Sequence, residues 1–174
     1  MHDGLLWLLG GRERWNHWRR RKKEINLSGV SLARVDLTRY DLHGVNFEGA
    51  NLRGAVLRET CLDQALLSGT DLGRADLTGA SLRQAQMFHS DCVGAVFDFA
   101  DMSEAYLTMA DMRETSWVGT CLAGADVEQA DFRGAEAMGL CVDNIKGVVW
   151  RIPAEPAWDA LRYNATPSDL VGLA

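Results

Sequence analysis

The stretch GANLRGAVLRETCLDQALLSGTDLGRADLTGASLRQA, residues 49–85, carries leucine at every fifth position. The leucines stand at 52, 57, 62, 67, 72, 77 and 82. On an α-helix, a five-residue step turns the chain by about 500°, so these leucines would spiral around the helix. On a flat strand, an odd step moves each successive side chain to the opposite face. The spacing therefore requires a structural unit of its own, with a turn inside every five residues.

The same spacing extends well beyond this stretch. From Leu27 to Phe132 there are 22 such positions, which we call the centres, and every one of them is apolar. Two residues before each centre lies a second set of positions, of which twelve are Ala. The residue just before a centre is often Asp, Asn or Ser, and Gly is frequent two residues after it. The pattern predicts that one large and one small side chain of each unit point inward, while the other three point outward.

Units such as ADLTG (residues 75–79) and ANLRG (residues 50–54) resemble the pentapeptide-repeat family over about residues 25–139. The resemblance implies an all-β solenoid, a right-handed quadrilateral parallel β-helix in which four repeats make one square coil. We therefore expect residue n to lie beside residue n+20, and the length corresponds to about 5.5 to 6 coils. Asp or Asn before a centre can accept hydrogen bonds from turn amides. Gly after a centre permits the positive φ of a type II turn.

The chain divides into three expected parts: an N-terminal helical cap at 1–24, the β-helix at 25–142 and a C-terminal cap at 143–174. The segment RERWNHWRRRKKE (residues 12–24) is typical of a helix with Trp15 and Trp18 on one face. We assign that face to the first coil and expect the basic residues to face solvent. At the other end, a short helix beginning near Pro156 is expected to cover the last coil or meet a second subunit. The residues assigned to this C-terminal cap are Trp150, Trp158 and Leu161.

Charge is distributed unevenly along the chain. The net charge is −6, but residues 1–24 carry +4 and residues 25–144 carry −10. An acidic body repels nucleic acid, so a basic protein partner is expected and direct nucleic-acid binding is not. The four cysteines include no CxxC pair, and no apolar run approaches the length of a membrane span. These features favour a reduced, cytoplasmic protein.

No catalytic constellation emerges from the pattern. The segment HSDC (residues 89–92) contains nucleophile, acid and base residue types, but the register points Cys92 into the coil and His89 outward. Cys121 and Cys141 are expected to be neighbours on successive coils and to remain two thiols. We therefore expect no enzymatic activity, cofactor or metal.

Two kinds of outward positions depart from the ordinary polar surface. Phe88, Tyr106 and Met109 share one face, and Phe99 and Val118 share another, which favours contact with a partner or with a terminal segment of the chain. A third face is the most acidic, with a single arginine, Arg83, opposing five acids. The residues of this acidic face are Asp41, Asp63, Asp101, Glu104 and Asp143.

Three functions remain as hypotheses. The first is a non-enzymatic protein–protein interaction or scaffold module that contacts an unidentified partner. The second rests on the family resemblance, because certain members bind DNA gyrase as DNA mimics and protect it from inhibitors. The third, a weaker alternative, is membrane-surface attachment through LLWLL (residues 5–9) and the basic residues after it. The simpler interpretation of LLWLL is a cap, so membrane contact is not expected. The family also includes dimers that form through their C-termini, so a homodimer is a further expectation.

Overall fold

The described part of the chain is a parallel β-helix preceded by two short helices. The computed structural model describes residues 3–147, 149 and 152–153. Helix α1 spans Asp3–Leu9 and helix α2 spans Arg12–Arg19. Within the coil, strand β1 at Ser116–Val118 pairs in parallel with strand β2 at Glu136–Met138. The other pairs are isolated parallel bridges between residue n and residue n+20, from Asn26↔Asn46 to Asp126↔Lys146. The predicted register is confirmed.

The interior of the coil is built from the centres. All 22 of them, from Leu27 to Phe132, are at most 1% exposed. The residues two positions earlier are also buried, except the half-buried Val35, and Thr takes the place of Ala at several of these positions. Thr60, Thr70 and Thr120 satisfy their buried hydroxyls by donating to a main-chain carbonyl of the preceding coil, at 2.8 Å in each case. A Thr at these positions therefore costs no unpaired polar group.

Each five-residue unit contains a tight turn. The amide of Ala75, for example, donates to the carbonyl of Leu72 at 2.9 Å. The third residue of these turns has positive φ whether or not it is Gly: Gly69 has φ 64° and His89 has φ 55°. The Asp or Asn before the centre accepts from the amide two residues later, as when Thr78 donates to Asp76 at 3.1 Å. The expected turn chemistry is confirmed.

Helix α2 lies against an edge of the first coil at Asp41. Inside the coil, the equivalent residue Cys61 donates its amide to the carbonyl of Tyr40 and accepts from the amide of Leu42. For Asp41 no earlier coil exists to supply these partners. The side-chain oxygen of Asn16 accepts from the Asp41 amide at 2.9 Å, and the Trp15 indole donates to the Asp41 carbonyl at 2.7 Å. Two side chains of α2 thus replace the main chain of a missing coil at this edge.

The expected helix over residues 12–24 is wrong in its extent, because α2 ends at Arg19. The expectation that the basic residues face solvent is also wrong for Arg19, which is only 9% exposed. Its guanidinium forms an ion pair with Asp41 at 3.1 Å and donates to the carbonyls of His43 and Lys22. These bonds hold the end of the helix and the following turn against the coil, so the helix stops where the chain bends toward Ile25.

Helix α1 packs one of its leucines inward and leaves others at the surface. Leu8 is buried, whereas Leu6 and Leu9 are exposed. Trp7 stacks on Trp18 of α2 with ring centroids 5.6 Å apart. In the part of the chain that the structure describes, no helix has the length and apolar character needed to cross a membrane. The predicted C-terminal cap residues Trp150, Trp158 and Leu161 lie outside the described residues.

Two glycines with matched backbone conformation differ in their surroundings. Gly69 and Gly119 have φ 64° and 65°, but a Cβ on Gly69 meets nothing within 4 Å, whereas one on Gly119 lies 2.8 Å from Cδ1 of Phe99. Gly69→Ala is expected to lower the free energy of unfolding by about 1–2 kcal/mol through φ alone. Gly119→Ala should cost about 0.5–1.5 kcal/mol more, because Phe99 must leave its rotamer. Denaturant unfolding measures both; the idea fails if Phe99→Ala does not remove the difference.

The main-chain contact of Asn16 is tested by Asn16→Ala. We expect a loss of about 1–3 kcal/mol in the free energy of unfolding, because the Asp41 amide loses its acceptor. His17→Ala is the matched control, since His17 is the next residue of α2 and is exposed. Thermal or denaturant unfolding of the full chain is the measurement. Equal stability of the two variants would contradict this role of Asn16.

Candidate functional site

Phe88, Tyr106 and Met109 form one apolar surface group, which we call the Phe88 cluster. Phe88 is half-buried, and its ring lies 5.7 Å from that of Tyr106 at an interplanar angle of 31°. Tyr106 is 41% exposed and Met109 is 45% exposed. The coil explains their proximity, because Tyr106 is bridged to Gln86, which lies just before the centre that precedes Phe88. Three large side chains from adjacent coils therefore share one solvent-facing surface.

A second apolar group lies on the opposite face, half a lap away along the chain. Phe99, 66% exposed, covers Gly119, and Val118 is paired with Met138, which is also 66% exposed. We call Phe99, Val118 and Met138 the Phe99 cluster. Met138 was not among the contact residues predicted from the sequence. Its position 20 residues after Val118 was nevertheless sufficient to place it on the same face. The five predicted contact residues are thus divided between two opposite faces and form no single surface.

The acidic face is less acidic than the sequence count indicates. Its five acids were opposed by Arg83 alone, giving −4, but Arg19 from α2 also pairs with Asp41. Counting Arg19, the charge of this face is −3, close to the −3 and, with Lys146 counted, the −2 of the two faces beside it. An excess of unpaired acids therefore does not set the acidic face apart from the two faces beside it.

The other acids of this face are engaged in local hydrogen bonds. Asp63 accepts from the Ser81 hydroxyl and from the Arg83 amide, the latter at 3.0 Å. Asp101 accepts from the Ser103 amide at 3.0 Å, and its carboxylate lies 3.9 Å from the Arg83 guanidinium. Glu104 accepts from the Gln84 side chain at 2.7 Å, and Asp143 is exposed. These carboxylates order the turns of the coil as well as charge its surface.

The cysteines differ strongly in accessibility. Cys92 is fully buried among the centres, and burial raises the pKa of its thiol to about 12. His89, in the turn before it, is exposed on the outside of the coil, as predicted. The side chains of the HSDC segment therefore form no nucleophile–base pair, because one points inward and the other outward.

Cys121 and Cys141 are neighbours on successive coils, as predicted, with their sulfur atoms 2.9 Å apart. Both are free thiols at the edge of the acidic face. Burial opposes ionisation of Cys121, but hydrogen bonds from Cys141, the Ala123 amide and Ser103 outweigh it and lower the pKa of the Cys121 thiol. The hydrogen bond to Cys121 raises the pKa of Cys141. The pKa of the Cys121 thiol is thus shifted down and that of the Cys141 thiol is shifted up.

The predicted N-terminal contact residues meet each other at the first coil. Trp15 is fully buried, and its ring lies 5.3 Å from that of Trp18. Trp18 in turn lies between Trp15 and Trp7, and the ammonium of Lys22 lies 5.5 Å from its ring. These aromatic side chains hold α1, α2 and the edge of the coil together.

Comparison with known proteins gives a family match over more than half of the chain. The family model described as pentapeptide repeats matches residues 23–58, 60–91 and 81–116, with 8 copies. A search of curated proteins found no match. The family match agrees with the parallel register of the coils and gives the chain a right-handed β-helix solenoid.

Several solved structures of low sequence identity are similar. Rfr23, a pentapeptide repeat protein from the cyanobacterium Cyanothece 51142, has a TM-score of 0.45 and 23% identity, covering 74% of this chain and 97% of that one. HetL from Nostoc sp. strain PCC 7120, described as involved in heterocyst differentiation regulation, has a TM-score of 0.38 and 22% identity, with coverages of 71% and 76%. Full-length QnrB1, a plasmid-mediated fluoroquinolone resistance protein, has a TM-score of 0.36 and 15% identity, with coverages of 80% and 97%.

Thiol labelling tests the ordering of the cysteines. A thiol-alkylating reagent, whose thioether the neighbouring Cys141 cannot displace, should at mildly alkaline pH label Cys121 fastest, because its lowered pKa gives the largest thiolate fraction. Cys92 should remain unlabelled in the folded protein and react only after denaturation. Peptide mapping by mass spectrometry assigns each label, and Cys121→Ser should remove the fastest phase. Labelling of Cys92 in the native state at a rate similar to Cys121 would contradict the assignment.

Proposed function

The chain belongs to the pentapeptide repeat family, and on that premise we propose that it is a non-enzymatic protein-binding module that engages its partner through the Phe88 cluster. The single observation that carries the proposal is the contact between the rings of Phe88 and Tyr106 beside the exposed Met109. Aromatic residues and Met are enriched in the cores of protein interfaces. Tyr side chains are also frequent among the residues that contribute most to binding.

The coil suits this role because it holds the cluster rigidly. The amide of Met109 donates to the carbonyl of Glu128 at 2.9 Å, and the amide of Tyr106 donates to the carbonyl of Ala85 at 2.9 Å. The side chains therefore need little backbone ordering when a partner binds, and preorganisation of this kind improves affinity. The exposed apolar area also has no other described role in the coil.

The charge around the cluster indicates the chemistry of the partner. Its face, counted from residue 25 to residue 149, contains three acids, Glu48, Asp126 and Glu128, and one base, Lys146, which is bridged to Asp126. A partner that offers an apolar patch with basic residues at its rim would be complementary to this face. This agrees with the expectation of a basic partner.

The proposal also includes the finer features of the architecture. They are a coil number of about 5.5 to 6 and caps at both ends, within the divisions 1–24, 25–142 and 143–174. The contacts of Trp15 and Asn16 with Asp41 support the N-terminal cap. A cytoplasmic location and the absence of enzymatic activity stay predictions, supported by free cysteines and by the separation of His89 from Cys92.

Binding to DNA gyrase or another topoisomerase is the second candidate function. The observation that favours it is the charge of −10 over residues 25–144 on an elongated coil. Against it stands the spread of that charge, since one of the four faces is neutral and the acidic face differs from each of its neighbours by at most one charge. The Phe88 cluster has no counterpart in a DNA-like surface, so we favour the first candidate.

The proposal is tested by the triple variant Phe88→Ala, Tyr106→Ala and Met109→Ala. In a pull-down from a lysate of the source organism followed by affinity measurement with the purified partner, we expect binding to weaken by about 30-fold or more. The control is Phe99→Ala with Met138→Ala, which removes two apolar side chains that are even more exposed from the opposite face and should leave the affinity unchanged. Melting temperatures establish that both variants are folded.

Three further measurements test the alternative functions and the homodimer. A supercoiling assay with and without a quinolone tests topoisomerase binding, and light scattering on the purified chain tests a homodimer. Vesicles of anionic lipid test surface attachment through the exposed Leu6 and Leu9 beside the basic α2. Retention of partner affinity by the triple variant, or equal loss in the control, would overturn the role of the Phe88 cluster.

A further inference from the structure

Three side chains with metal-binding atoms meet at one corner of the coil, outside the Phe88 cluster. They are His43, Cys61 and Asp63, which we call the His43 corner. One ring nitrogen, the thiol sulfur and one carboxylate oxygen all lie within 4.8 Å of one another. This group was not predicted from the sequence, because its members come from two successive coils and match no metal-binding motif.

The coil register explains why these residues converge. His43 and Asp63 are one full coil apart, so they occupy the same position on successive coils, and the Gly44 amide donates to the Asp63 carbonyl at 2.8 Å. Cys61 and Asp63 flank Leu62, which is fully buried, so their side chains both point outward from the same edge. The convergence is therefore a property of the main chain and requires no rearrangement of loops.

Each member of the corner is held by further hydrogen bonds. The Ser81 hydroxyl and the Arg83 amide both donate to Oδ1 of Asp63 and orient its carboxylate. The Cys61 amide donates to the Tyr40 carbonyl at 3.0 Å. The Arg19 guanidinium donates to the main-chain carbonyl of His43 and fixes this residue from α2. Contacts such as those to the Asp63 carboxylate orient the ligands of metal sites in proteins, whereas the main-chain bonds of Cys61 and His43 fix the backbone that carries their side chains.

The charge balance of the corner is compatible with a divalent cation. One thiolate and one carboxylate neutralise the charge of such an ion, while the imidazole binds as a neutral ligand. Arg19 of α2 contacts the main chain of His43, and its charge is offset by its ion pair with Asp41 at 3.1 Å. Net repulsion by Arg19 is therefore small.

Space for an additional ligand lies beside the corner. A polar depression of about 210 Å³ adjoins His43 and Asp63 and extends along the acidic face. It is wide enough for water or a small anion, and Arg83 and Ser103 also line it. A fourth coordination position at the corner would open into this depression.

We propose that His43, Cys61 and Asp63 bind Zn²⁺ through one nitrogen, one sulfur and one oxygen ligand, with water in the fourth position. Mixed nitrogen and sulfur donors suit zinc, whereas Mg²⁺ and Ca²⁺ take oxygen ligands. The site is independent of the proposed partner surface, because the Phe88 cluster lies on a different face of the coil. Zinc here would join the first two coils to each other at the edge that α2 covers.

The experiment uses the full chain carrying Cys121→Ser and Cys141→Ser, so that the thiol pair on the later coils cannot bind metal. Titration with Co²⁺ should give one equivalent bound, visible bands of tetrahedral cobalt and a sulfur-to-cobalt charge-transfer band, all displaced by Zn²⁺. Adding Cys61→Ser should remove the charge-transfer band. It should also weaken Zn²⁺ binding by at least about tenfold in calorimetry.

Two histidine variants distinguish a ligand of the site from a histidine elsewhere on the surface. His43→Gln should weaken Zn²⁺ binding as Cys61→Ser does, whereas His89→Gln, which changes an exposed histidine on another face, should leave it unchanged. His43→Gln also serves if Cys61→Ser fails to fold, which melting curves establish. The site is overturned if no tetrahedral cobalt spectrum forms, if the charge-transfer band survives in Cys61→Ser, or if His89→Gln weakens binding as much as His43→Gln.

Discussion

The structure depends on the parallel register that sets residue n beside residue n+20. Every centre is sealed inside the coil by this register, and a solenoid has no other core, because each coil is stabilised by its neighbours. The same register aligns the outward side chains in columns. Both the Phe88 cluster and the His43 corner arise from such columns, so the constraint that builds the interior also determines which side chains meet at the surface.

Main-chain groups of the first coil have no preceding coil with which to pair. At Asp41 the coil has no predecessor, and α2 supplies an amide oxygen from Asn16 and an indole N–H from Trp15 in its place. Arg19 adds an ion pair at the same residue and fixes the turn that leads into the coil. A short helix rich in Arg and Trp thus completes a hydrogen-bond ladder through its side chains, while its own backbone bonds remain within the helix.

The sequence predicted the repeating part of the molecule well, because its five-residue period identifies which side chains point inward. The burial of Trp117 and the outward position of His89 both follow from counting. The contacts of Arg19 could not be obtained in this way, since α2 has no register relative to the coil until the two are packed. The His43 corner was missed for a different reason: its members come from two successive coils and match no metal-binding motif, and Asp63 was considered only as one acid of the acidic face. Met138 was within reach of the same counting that identified Val118.

The uninterrupted period has a consequence for how this chain can change in length. Deleting one residue within the coil would turn every later centre outward, so natural variation of that kind should be excluded from residues 25–139. Insertion of one repeat keeps the interior intact but rotates everything after it by a quarter of a turn, which would move the Phe88 cluster around the rod relative to the His43 corner. Insertion of four repeats lengthens the rod and restores the original alignment. Duplication in whole laps is therefore the route by which such a molecule can grow while its two surfaces keep their relative orientation.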